Sequence, residues 1–124
     1  MDSQIRELGR DQWVAFFDET SRRHTGAGSM ATLEVSGLDI GNQIAANALP
    51  FGGISADLKD KEDQITILLG GEQGTTDGVV RDHDAHIIDA PRHVFLHGDA
   101  GTSTKETLEI MTSDDVQYLL RFDS

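Results

Sequence analysis

An α+β domain is what this sequence predicts: one amphipathic helix near the N-terminus, packed on an antiparallel sheet of about five to seven strands. Three observations carry that expectation. Apolar residues recur at helical spacing near the start, where Trp13, Phe16 and Phe17 fall at i, i+3 and i+4. From Met30 onward the period changes to two, with Ala31, Leu33 and Val35 alternating with Thr32 and Glu34. Short Gly-, Asp- and Ser-rich turns join the alternating segments, which is the pattern of hairpins.

Taken in order, residues 1–10 read as a short lead-in. The helix is expected from about Gln12 to His24. Asp11 is its expected N-cap, because a carboxylate can accept from a free N–H of the first turn. Arg22, Arg23 and His24 suit the negative end of the dipole, and Gly26 offers a left-handed stop. Gln43 to Leu49 holds too many small residues to assign, and Pro50 with Gly52-Gly53 marks a turn. Ile54, Ala56 and Leu58 then alternate up to the charged tip Asp60-Lys61-Glu62-Asp63, and Ile65, Ile67 and Leu69 return. A Gly/Thr/Asp-rich loop spans Gly70 to Gly78, a strand is expected at Arg92 to His97, and a second loop runs from Gly98 to Thr104. The closing hairpin joins Leu108 and Ile110 to Val116, Tyr118, Leu120 and Phe122 through Ser113-Asp114-Asp115. With one helix to cover one face, the sheet is expected to be strongly curved, or a half-barrel.

The 124 residues predict a single domain over 1–124, long enough for a real core. No cysteine is present, so disulfides, thiolate metal sites and a cysteine nucleophile are excluded. The start from Met1 to Glu7 is polar, unlike a secretory signal, and the longest apolar runs, such as Ile65 to Leu69, are strand-sized. A cytoplasmic protein is expected. Ten basic against twenty-two acidic residues give a formal charge of -12. That balance opposes binding to nucleic acid or to an anionic membrane, and it also serves solubility.

Few motifs carry chemistry. Gly70-Gly71-Glu72-Gln73-Gly74 follows a strand but lacks the Lys-Ser/Thr of a phosphate loop, and its carboxylate repels phosphate. No Gly-x-Ser-x-Gly elbow occurs, and a Ser-His-acid set would have to assemble in space. The histidines are the anomaly. His83, His86, His93 and His97 lie among Asp82, Asp84, Asp89 and Asp99. Imidazole and carboxylate together suit zinc, nickel, manganese or iron. In a strand Phe95 shares a face with His93 and His97, while Val94 and Leu96 take the other. No complete metal pattern is present, so surface histidines beside solvated aspartates are the simpler reading.

Several stretches together resemble one family. Arg10-Asp11-Gln12-Trp13 with Phe16-Phe17 and Ser21-Arg22-Arg23-His24 looks like its opening helix. Thr32-Leu33-Glu34-Val35 is similar to its first strand, and Gly53 to Lys59 with Glu62-Asp63 and Ile65-Thr66-Ile67 resembles its central hairpin. His86, Ile88, Pro91, Val94 and Leu96 match a later strand; Leu108-Glu109-Ile110 and Leu119 to Phe122 match the closing hairpin. The family is a group of small bacterial proteins known only as a domain of unknown function. The resemblance implies a bacterial source and a stand-alone domain, and it brings no catalytic residues. His93, Phe95 and His97 depart from the family pattern, so a metal site on them would be peculiar to this chain.

The functional expectation is therefore a non-enzymatic protein-binding or accessory domain, with no cofactor. Its partner is a protein or a second copy, met through a sheet edge, with Trp13 contributing if its helix is not fully buried. The alternative is a divalent-metal protein using His83, His86, His93, His97, Asp82 and Asp84. A third reading, a small-molecule binder, needs a cavity inside the sheet.

Overall fold

The computed structural model describes residues 5–37, 41–59, 62–70, 84–98 and 106–123. The chain runs β1 (Ile5–Leu8), α1 (Arg10–Ala27), β2 (Met30–Gly37), β3 (Gly41–Asp57), β4 (Gln64–Leu69), β5 (Asp84–Asp89), β6 (Pro91–His97), β7 (Thr107–Thr112) and β8 (Gln117–Asp123). Among the described residues, eight strands form an antiparallel sheet in the order β1-β6-β7-β8-β2-β3-β4-β5. The class is α+β, as expected, but the strand count exceeds five to seven. Two segments add strands, β1 and β5, and a third lengthens β3. The supposed lead-in forms β1 by pairing Ile5 with His97 and Leu8 with Val94. The small-residue stretch after Gly41 becomes the first half of β3, paired with β2. Asp84 to Asp89 pairs with β4. In each case backbone pairing with a neighbour makes the strand, and side-chain alternation signals it weakly.

The helix also starts and stops outside its expected bounds. Gly9, not Asp11, is the N-cap; its N–H donates to Gln12 Oε1 at 3.0 Å. Asp11 sits inside the first turn, where its charge suits the dipole. The helix passes through Gly26 and ends at Gly28, whose φ of 66° is left-handed. A side chain there would be strained, which is why glycine ends the helix. The buried stripe consists of Trp13, Phe17, Thr20 and His24. Half of that stripe is polar, so the apolar pattern visible in the sequence fades after Phe17.

The helix packs on β3, the long strand shared by two ladders. Its first half pairs with β2 and its second half with β4, with a register break between Phe51 and Gly53. Ser21 holds that bend. Its hydroxyl donates to Ile54 O at 2.8 Å and accepts from Ile54 N at 2.9 Å. A second corner lies at Ala90, the single residue between β5 and β6. The chain passes there from one end of the strand order toward the other. Ala90 accepts from Ser113 N at 2.9 Å and donates to Asp63 O at 3.2 Å.

Leu33, Ile54, Ile65, Ile67, Leu108 and Phe122 are all buried in one core cluster. These side chains fill the interior that a ligand cavity would need. Among the described residues, the buried Thr20 hydroxyl has no hydrogen-bond partner. Thr20→Val keeps the shape and removes the unpaired group, so it is expected to raise stability by about 1 kcal/mol in urea denaturation.

Tyr118, opposite Ile110 on the inner face, has its phenol pKa raised above the ordinary 10.0, first by burial and then by the Asp89 carboxylate. The sign follows from linkage. The folded phenol keeps its proton where the unfolded one has lost it, so the contribution is complete below pH 10.0 and fades as pH rises beyond it. Tyr118→Phe should flatten this alkaline loss of stability, measured as midpoint against pH. At the surface, Arg10 grips Asp63 through Nε–Oδ2 at 2.7 Å and Nη2–Oδ1 at 2.9 Å. That hydrogen bonding holds the Asp63 carboxyl below its ordinary 3.8.

Candidate functional site

Cross-strand register assigns every side chain of the β1-β6-β7-β8-β2 ladder to one of two faces. Leu8, Val94, Leu96, Leu108, Ile110, Leu120 and Leu33 point inward and are buried. The opposite face is built from three cross-strand rows. Ile5, His97, Thr107 and Arg121 form the first; Glu7, Phe95, Glu109, Leu119, Glu34 and Ile44 the second; His93, Met111, Gln117, Ser36 and Asn42 the third. All of these residues are exposed or half-exposed. The expected sharing of a face by His93, Phe95 and His97, with Val94 and Leu96 on the other, is what the register gives.

Phe95 is the centre of this outward face. His93 stacks beside it, with ring centroids 5.9 Å apart and planes at 22°. His93 Nδ1 lies 2.7 Å from Glu7 Oε2, and His97 Nε2 lies 2.8 Å from Glu109 Oε1. Glu7 and Glu109 are the direct neighbours of Phe95 on either side, so two imidazole–carboxylate pairs bracket one aromatic ring. Farther along, Glu34, Ser36, Asn42, Ile44, Gln117 and Leu119 line a cleft of about 380 Å³. Arg121 reaches Glu34 at 2.8 Å beside it.

The two other described members of the anticipated metal set lie elsewhere. His86 pairs with the buried Ile67 and belongs to the inner face of β4 and β5, away from the outward side of β6. Asp84 opens β5 opposite Leu69. Asp82 and His83 lie outside the described residues. Among the described residues no three His, Asp or Glu side chains gather as a metal site. Trp13 is also placed differently from the docking role considered for it. Its side chain is 2% exposed and its indole N–H donates to Leu8 O at 3.0 Å, because the helix is seated on the core.

A polar hub that sequence reasoning missed lies at the end of α1. His24 is fully buried. Its Nδ1 meets Ser29 Oγ at 2.9 Å and its Nε2 meets Glu106 Oε1 at 2.9 Å. A carboxylate only accepts, so Nε2 carries the proton and Nδ1 accepts from the Ser29 hydroxyl. Arg23 pairs with the same Glu106 oxygen. The His24 ring stacks on Phe122 at 3.7 Å and meets Phe51 edge-on. One signal existed in the sequence: His24 extends the helical spacing of Trp13, Phe17 and Thr20, which marks an inward position rather than an exposed helix end.

Ser29, His24 and Glu106 invite comparison with a hydrolytic triad, and Ser29 borders a cleft of about 250 Å³. The surroundings do not suit that chemistry. A triad needs donors aimed at a developing oxyanion. Here the nearby N–H groups are already used: Gly28 N–H donates to Thr25 O, Ser29 N–H to His24 O, and Phe51 N–H to Ser29 O. The cleft also sits at the carbonyl end of α1, where the dipole favours a cation over an oxyanion. The hub is a clamp that joins the helix end to the residue before β7.

A family model described as a family of unknown function, DUF5335, matches residues 4–124. The chain belongs to that family. An uncharacterized protein of Aquifex aeolicus (strain VF5) is similar to it, with 25% identity over 116 residues, covering 94% of this chain and 89% of that protein. No solved structure matches the chain. DUF5335 membership agrees with the resemblance drawn from the helix and hairpin motifs. It carries no activity that could be placed on the outward face or on the hub. Among the described residues no helix is long and apolar enough to cross a membrane.

Proposed function

We propose that this domain is a non-enzymatic docking module that binds a protein partner through the outward face of the β1-β6-β7-β8-β2 ladder. The observation that carries this reading is the apolar content of a face turned to solvent. Ile5 and Ile44 are exposed there, at 64% and 60%, and Phe95, Met111 and Leu119 between them are partly exposed. The solvent side of an antiparallel sheet is ordinarily polar, and clustered accessible apolar side chains mark interaction surfaces. Glu7, His93, His97 and Glu109 supply the polar groups an interface sets around its apolar contacts.

Charge supports the same choice. The chain as a whole carries -12, which repels acidic partners. On this face Glu7, Glu34 and Glu109 are accompanied by Arg121, His93 and His97, so it is far closer to balance. The test is the size of the assembly in extracts of the native host. Wild-type protein is expected to elute well above its 13.5 kDa, and a Phe95→Lys, Leu119→Lys variant at the monomer position. A folded variant that still elutes in the larger assembly would overturn the assignment.

A further inference from the structure

We infer that the two imidazole–carboxylate pairs on the outward face, His93 with Glu7 and His97 with Glu109, are half-sites for a divalent cation of the zinc class, completed by a second copy of this chain. The inference rests on the docking reading and adds its occupant and its cation.

Each pair has the donor atoms and nearly the spacing that zinc requires, once the hydrogen-bond proton between nitrogen and oxygen is released to water. The nitrogen and oxygen lie 2.7 Å apart in one pair and 2.8 Å in the other. Two such atoms bound to one tetrahedral zinc sit roughly 3.4 Å apart, so each pair needs to open by only about half an ångström. Both pairs lie on strands, in an outward row pattern fixed by the ladder; the His93–Glu7 side chains are about half exposed, and those of His97 and Glu109 keep 31% and 15% exposure. The groups beside them are few. His93 has Met111 of β7 directly opposite and Phe95 at its ring; His97 has Ile5 of β1 and Thr107 of β7. No other charged side chain occupies those directly opposed positions.

Each pair offers two donors where zinc takes four. Among the described residues no third donor joins either pair. A copy related by a twofold axis presents the same two pairs to the first, because an isologous interface matches a surface with itself. The four half-sites of two chains then make two complete sites, or one zinc per chain. The cations also offset the repulsion between two chains of charge -12, which otherwise opposes their approach. Imidazole donors select the zinc class over calcium and magnesium, which take oxygen.

The experiment is a zinc titration of the tag-free full chain at about pH 7.5, followed by sedimentation velocity and by bound-metal analysis. Wild type is expected to pass from monomer to dimer with one zinc bound per chain. Calcium should have no effect. A chelator in excess should return the monomer. His97→Ala, Glu109→Gln should lose the zinc-dependent dimer while its circular dichroism stays that of wild type. Absence of zinc binding overturns the inference, and so does zinc held by a protein that stays monomeric. A dimer that forms without zinc also overturns it, yet leaves the docking face standing. Failure of the docking reading shows separately, as an unchanged host assembly in the Phe95→Lys, Leu119→Lys variant.

Discussion

Glu106→Ala is expected to lower unfolding free energy by about 3 kcal/mol, because it takes a buried carboxylate away from its two partners. The fully buried His24 loses the acceptor for its Nε2–H, and Arg23 loses its counter-charge. Phe122 and Phe51 pack on the imidazole and shield it from water on those sides. Glu106→Gln separates the contributions. The amide keeps an acceptor for His24 but removes the charge facing Arg23, so it should cost about 1 kcal/mol. Urea denaturation followed by fluorescence reads both. Equal losses in the two variants would mean that the ion pair, and not the imidazole hydrogen bond, is what the fold needs. Against a typical stability of about 5–15 kcal/mol, the alanine variant should be visibly weakened at physiological temperature.

Trp13→Ala should be at least as damaging, at about 3–5 kcal/mol, the usual range for truncating a buried large aromatic residue. Two effects combine. The indole fills the core beside Phe17, and its N–H caps the Leu8 carbonyl at the end of β1. Trp13→Phe retains most of the packing and frees that carbonyl, at an expected cost of about 1–2 kcal/mol. The second signature is local. Amide exchange at Ile5 to Leu8 should accelerate in Trp13→Phe before any global change appears, because this short edge strand leans on the indole. A tryptophan used for docking would behave in the opposite way, losing binding while leaving stability alone.

Much of the fold was legible in the residues, and what was not has a physical cause. The helix, the hairpin from Ile54 to Leu69 and the hairpin from Leu108 to Phe122 each announce themselves by period, since one face of each is buried and the other wet. β1 gives no such signal: of its four residues only Leu8 is buried, and its existence depends on backbone pairing with β6. The first half of β3 is similar, with Ala46 alone buried between Gly41 and Ala48. Cap positions slipped for a local reason. Asp11 is a good cap by type, yet Gln12 reaches back to the Gly9 N–H and starts the helix earlier.

The site was legible in part. The alternation of His93, Phe95 and His97 was enough to place them on one face. Their partners were not foreseeable: Glu7 lies 86 positions from His93, and Glu109, though only 12 positions from His97, meets it through the β6–β7 register that local sequence does not give. His86 shares their stretch of sequence but not their face, since the chain turns the corner at Ala90 between them. Local sequence shows a cluster of histidines; only the ladder shows which of them are neighbours. The hub failed for the same reason, as Glu106 lies 82 positions from His24.

The central claim is that the outward face meets a protein partner. Photo-crosslinking in the native host tests it most directly, with a benzophenone amino acid placed at Phe95, at Leu119, or at the exposed helix residue Arg22. Discrete, reproducible adducts from positions 95 and 119 and none from position 22 are the expected result. Adducts from the helix position alone, or none from the outward face with the protein folded and expressed, would contradict the account and move the search for function away from this face.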